Sequence, residues 1–202
     1  MRWLALQAAL AAIMLISCAE RQPLTTIQAR ADGHLMMLPT GVQGSQQWFT
    51  WDTGAPSLVI DPRLARALKL KVLKADSMTG TGAGCFPMSH SARVTVTLAG
   101  VRYTVDDPWI IDLSGVPVSK AVRGLIGADL WSRYAVRMNS QKMTLELFPP
   151  GAYRRERGEA ELPLIASNNK MYIDVILDLK PFETRESRSG RGPTRIFASV
   201  MA

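Results

Sequence analysis

The stretch WFTWDTGAPSLVID, Trp48 to Asp61, sets an acid, a hydroxyl and a glycine between two apolar runs. Trp48, Phe49 and Trp51 enter the triplet Asp52-Thr53-Gly54, and Leu58, Val59 and Ile60 leave it, so both flanks read as short β-strands bound for a core. A turn with such flanks lies against apolar walls rather than in open solvent. A carboxylate placed there must be hydrogen-bonded or share a proton, which is the setting in which acids serve as general bases. The triplet alone is weak, since average residue frequencies give it in about one 200-residue chain in thirty. The flanks carry the argument.

The surrounding chain supplies strands in quantity. GHLMMLPTGV and QQWFTWD flank a turn at Gly44-Ser45 and predict a hairpin leading into Asp52. After PSLVID, a short strand, Asp61 is placed to cap a short helix with Pro62 at its first position and Leu64 and Leu68 one turn apart. The flexible run TGTGAG, Thr79 to Gly84, precedes ARVTVTLAGVRYTVDD, whose alternation on both sides of Ala99-Gly100 predicts a second hairpin. PWIIDL adds a strand, and GLIGADLWSRYAVRMNSQKMTLELF reads as strand, short helix, strand, Asn139-Ser140 turn and strand. Strands with turns at spacings of about 8 to 12 residues argue for an all-β barrel or sandwich.

FTWDTGAPSLVID resembles the catalytic loop of retropepsin-like aspartic proteases, and GLIGADLW, Gly124 to Trp131, resembles the apolar-apolar-Gly segment that packs beside that loop in the family. The resemblance implies an all-β, retropepsin- or pepsin-like acid-protease β-barrel lobe with one or two short helices, over residues 33 to 150. In such enzymes two aspartates share one proton and hold a water between them; one acts as base on the water and the other as acid toward the peptide carbonyl. The resemblance assigns one carboxylate to Asp52, a bracing role to the Thr53 hydroxyl, and a close backbone approach to Gly54. Ala55 fits the family, whereas Pro56 departs from it and removes a backbone donor. Thr79, Gly80, Thr81 and Gly82 fall where the family's flap lies, and with Ala55 they are the expected substrate contacts. The implied substrate is a polypeptide, and no cofactor or metal is implied.

A dyad needs a second aspartate, and no other Asp-Thr-Gly or Asp-Ser-Gly occurs in the sequence. A proline- and charge-rich break at residues 151 to 161 precedes LPLIASNNKMYIDVILD, a predicted hairpin with an Asn168-Asn169 turn that resembles the start of the second lobe in two-lobed bacterial relatives. Where that lobe's triplet should stand, a loose register places Arg188-Ser189-Gly190. Three readings stay open: a homodimer of single lobes, a truncated two-lobed protease, and a binding lipoprotein that keeps the fold without catalysis. The composition change after Phe182 favours truncation, with an incomplete second lobe at 162 to 180 and an unstructured tail at 181 to 202.

The N-terminus reads as an export signal, residues 1 to 18. Arg2 precedes an apolar run from Leu4 to Ile16, shorter than the roughly 20 residues a membrane span needs. Leu15-Ile16-Ser17-Cys18 resembles a bacterial lipobox, which implies lipidation of Cys18 and a membrane-anchored protein facing the periplasm. Residues 19 to 32 then read as a polar linker. With Cys18 lipidated, Cys85 is the one remaining thiol and no internal disulfide forms; it is expected to be half-buried and inert. The 47% hydrophobic content fits a globular chain, and the net charge of +7 suits anionic lipid or envelope polymers. No nucleic-acid motif accompanies the charge, so nucleic acid is not an expected partner. His34 and His90 are expected in surface or packing roles, Asp106 and Asp107 as turn acids, and Asp129 as a helix-cap acid.

Overall fold

The computed structural model describes residues 22–33, 35–79, 85–115, 120–155, 158–167, 169–173 and 198–199. In chain order the strands begin with β1 (Thr25–Gln28), β2 (Arg30–Asp32), β3 (Leu35–Val42), β4 (Ser45–Trp51) and β5 (Val59–Ile60), followed by helix α1 (Pro62–Ala67). Next come β6 (Val72–Thr79), β7 (Cys85–Ser91), β8 (Val94–Leu98), β9 (Val101–Val105), β10 (Trp109–Ile111) and β11 (Val122–Ile126). Helix α2 (Ala128–Trp131), β12 (Ala135–Asn139), β13 (Thr144–Phe148), β14 (Ile165–Ser167), β15 (Lys170–Ile173) and β16 (Ala198–Ser199) complete the order. The class is all-β.

Local chemistry accounts for the hairpins. Gln43 and Gly44 take positive φ, 49° and 83°, which matches the twist of a two-residue hairpin turn between β3 and β4. The turn therefore sits one residue earlier than the expected Gly44-Ser45, and Ser45 already pairs with Val42. Ala99 and Gly100 do the same between β8 and β9, at 42° and 89°. Asp61 caps α1 as its position predicts: its Oδ1 accepts from Arg63 N at 2.8 Å, with Pro62 beginning the helix.

Ten strands form one sheet in the order β6-β7-β10-β5-β11-β4-β3-β8-β9, with β2 on β3. β11 is inserted between β4 and β5, parallel to the first and antiparallel to the second. The chain between β4 and β5 must therefore pass over the C-terminal end of β11. A second sheet, β1-β13-β12, packs its apolar face on the same core. Phe49, Leu38, Leu58, Ile60, Val94, Leu98, Ile126, Leu130, Leu145 and Leu147 are fully enclosed there. Each large side chain taken from water in this way contributes about 1.5–3 kcal/mol.

Two expectations change. The stretch expected as linker, 19 to 32, carries strands from Thr25 onward: β1 pairs with β13 and buries Ile27, so alternation over four residues was enough to recruit a strand to an open edge. The hairpin expected at 162 to 180 is present as β14 and β15, with Asn169 at φ 55° in its turn. Within the tail expected to lack structure, Ala198 and Ser199 pair with Ile173 and Tyr172, while the rest of 181–202 lies outside the described residues.

Candidate active site

The loop from Asp52 to Leu58 is fixed mainly through its backbone. Asp52 N donates to Ile126 O at 3.0 Å, extending the β4–β11 ladder by one residue, and Ala128 N donates to Ala55 O at 2.9 Å. Within the loop, Gly54 N donates to Asp52 Oδ1 at 2.8 Å. A carboxylate oxygen bonded to a backbone N–H two residues on has its rotamer set by the main chain, and the half-buried Asp52 keeps part of its surface open. Thr53 is buried beside it.

Two glycines permit this approach. A Cβ on Gly127 would lie 2.2 Å from Ala55 O, and one on Gly124 would lie 2.1 Å from Phe49 Cε1 and 2.2 Å from Val59 O. The GLIG segment is thus shaped to fit under the Asp52 loop, as the pairing of the two motifs in the sequence predicts. Ala55, expected among the substrate contacts, is 5% exposed, and its methyl and carbonyl both face Gly127. Thr79 ends β6, opposite Cys85 in the register of the β6–β7 arm. Gly80, Thr81 and Gly82 lie outside the described residues, as do Cys18 and His34.

Asp129 corrects its expected role. Gly127 occupies the cap position of α2, and no side chain caps that helix. The Asp129 carboxylate instead crosses to the Asp52 loop, where Oδ2 accepts from Ser57 Oγ at 3.0 Å and Leu58 N at 2.5 Å. Ser57 Oγ also lies 3.1 Å from Asp107 O. Sequence reasoning missed this tie because it joins residues 71 positions apart. A signal was present: an acid just after a glycine that must sit against the loop has that loop's free N–H groups within reach.

Cys85 is exposed rather than half-buried, because its strand leaves the sheet as part of the arm. His90 is partly buried and packs edge-on to Trp109, with ring centroids 6.3 Å apart, in keeping with a packing role. A cleft of about 630 Å³ runs beside the loop, bounded by Pro56 and Ser57, by Met78 of the arm, by Trp109, and by Asn169 and Lys170 of the second hairpin. Asn169 Nδ2 reaches Pro56 O at 3.4 Å. Among the described residues, no group of three acidic, histidine or cysteine side chains is arranged to hold a metal ion.

Residues 38–130 match the family model described as aspartyl protease, a span that runs from β3 into α2 and contains the first motif and all of the second but Trp131. Over that span, just under half of the chain, the sequence is similar to the aspartyl protease family. A search of curated proteins gives no match. Among solved structures, the chain is similar to a retropepsin-like aspartic protease from Rickettsia conorii, with 20% identity, 61% of this chain and 88% of that chain covered, and a TM-score of 0.40. It is also similar to the retroviral protease-like domain of Ddi1 from Leishmania major, with 16% identity, 58% and 95% covered, and a TM-score of 0.40.

Proposed function

We propose that the chain is an aspartic-type endopeptidase lobe that supplies one carboxylate, Asp52, to a two-aspartate site acting on polypeptides. The observation that carries this reading is the Asp52 loop itself: a half-buried carboxylate held by the Gly54 N–H, on a backbone tied to β11 and α2, in a chain segment that matches the aspartyl protease model. In the assembled site, Asp52 and the second aspartate share one proton and bind a water. The ionised partner takes a proton from the water as it attacks the peptide carbonyl, and the protonated partner donates to the carbonyl oxygen. The tetrahedral intermediate then collapses with protonation of the leaving amine. No covalent enzyme adduct forms.

The second carboxylate comes from outside this lobe, either from a second copy of the chain or from a second lobe that begins with the β14–β15 hairpin. Thr53 braces the opposing loop, and Thr79 to Gly82 form the flap over the substrate. Export with lipid attachment at Cys18 places the lobe at the bacterial membrane, facing the periplasm. The single Asp-Thr-Gly favours one second reading, a lipoprotein that binds peptide in this fold without cleaving it.

The deciding experiment incubates the protein and its Asp52→Asn variant with unfolded protein substrate between pH 4 and 7. Cleavage by the parent and none by the variant is expected when the dyad is complete, and equal cleavage by both would sink the assignment of Asp52. Peptide binding by both proteins with no cleavage by either would establish the binding reading. Sedimentation distinguishes the source of the second carboxylate, since an active strict monomer excludes assembly from two copies.

A further inference from the structure

The β6–β7 arm is joined to the body of the sheet by the pairing of β7 with β10, in which His90 lies opposite Trp109. The His90 ring is 17% exposed and sits between two carboxylates from different elements. Nδ1 is 2.7 Å from Asp107 Oδ1, on the turn between β9 and β10. Nε2 is buried without a hydrogen-bond partner and faces Asp76 Oδ2, on β6, at 3.5 Å. In the neutral ring Nδ1–H can donate to Asp107, which leaves a bare Nε2 lone pair pointed at an anion. In the imidazolium both nitrogens carry N–H, so the ring draws both carboxylates together.

The geometry points to His90 as a protonation-dependent clasp that ties both strands of the arm to the body at low pH and loosens as pH rises. Histidine is the side chain suited to change charge between about pH 5 and 8. The groups facing it are accounted for element by element. On β6, Lys74 is the cross-strand partner of His90 and its Nζ lies 2.5 Å from Asp76 Oδ2. Asp76 is held down to about 2, chiefly by that Lys74 hydrogen bond and then by the Ser77 backbone N–H, so it remains an anion throughout the range. On the β9–β10 turn stands Asp107, while its neighbour Asp106 is paired with Arg93 at 2.5 Å. β10 contributes the uncharged Trp109 ring.

The clasp also reaches the catalytic loop. Asp107 supplies its side chain to His90 and its carbonyl to Ser57 Oγ, which is bonded in turn to Asp129.

Amide exchange of the full chain, expressed as protection factors at pH 5.5 and 7.5, tests the clasp without any assay of cleavage. Protection in 72–79 and 85–91 should fall by about two- to fivefold across this range, the scale of a partly exposed ion pair. His90→Gln and, separately, Asp107→Asn should abolish the pH dependence while leaving protection of the β4 and β11 amides unchanged. The chain has two histidines, so a ring-proton titration by NMR assigns the transition to His90 or to His34. A wild-type arm with pH-independent protection overturns the clasp, as does a transition that persists in either variant. Either result leaves the assignment of Asp52 intact, and loss of cleavage in Asp52→Asn leaves the clasp intact.

Discussion

The Asp52 loop and the β6–β7 arm are two excursions from the same ten-stranded sheet, and they are held in opposite ways. In the loop, Thr53, Ala55, Ser57 and Leu58 are all buried, and backbone hydrogen bonds tie its ends to β11 and α2. In the arm, Val72, Leu73 and Phe86 are each more than half exposed, and the strands bond chiefly to one another until His90, Ser89 and Met88 meet β10. Apolar residues occur in both. The difference lies in how many neighbouring elements each segment touches, and therefore in how much must break for it to move. In the proposed site, a carboxylate that meets a second one within hydrogen-bonding distance would need the first kind of support, and a flap that admits a polypeptide would need the second.

The largest effect expected from this contrast is at Gly124. Gly124→Ala drives a methyl into Phe49 and the Val59 carbonyl, which backbone cannot yield without separating β4, β11 and β5. A loss of about 3 kcal/mol or more is expected in urea unfolding. A loss below about 1 kcal/mol would show the loop platform to be far more yielding than its contacts imply.

Asp129→Ala comes next. It leaves the Leu58 N–H without its acceptor and the Ser57 hydroxyl with the Asp107 carbonyl alone, and should cost about 1–3 kcal/mol. Exchange should quicken selectively at residues 52–58, and unchanged exchange there would remove Asp129 from the support of the loop. On the arm, Leu73→Ser should change stability by less than about 0.5 kcal/mol, because the side chain is already 58% exposed. A larger loss would reveal an apolar contact on that face and weaken the contrast.

The smallest effect is the acid response of the arm. Asp76 has its carboxyl lowered from 3.8 to about 2 in the folded arm, so its stabilising contribution is complete above 3.8 and is lost as pH falls toward 2. Lys74, raised by the same pair, contributes below its ordinary 10.5 and loses that contribution as pH rises beyond it. Arm protection should therefore decline on acidification in the parent and lose that limb in Asp76→Asn. Both groups are solvent-exposed, so added salt should erase most of the difference.

The patterns that were legible in the sequence were those in which local chemistry and burial agree. Period-two alternation placed β8 and β9, the Asp61-Pro62 pair placed α1, and the two motifs marked the segments that meet at the site. β1 was missed because Thr25 to Gln28 has one buried residue, Ile27, and becomes a strand only where β13 offers an edge. Asp129 was misassigned because its helix position suggested a local cap, while its acceptor capacity is spent on residues brought near by the insertion of β11. Cys85 was misjudged because a short run beside glycines gives no sign of whether its strand is packed on both faces or on neither.

By itself, the sequence determined that the chain is built of strands, that Asp52 sits between two apolar ones, and that a glycine-containing partner segment follows. Those properties depend on neighbours along the chain, which composition and spacing record directly. Only the tertiary structure decided that β11 slides between β4 and β5, that Asp129 and the GLIG glycines thereby become the floor of the Asp52 loop, and that His90 stands between carboxylates from two other elements. These relations join residues far apart in sequence, and they are set by strand order and register, for which no local pattern of residues supplies the coordinates.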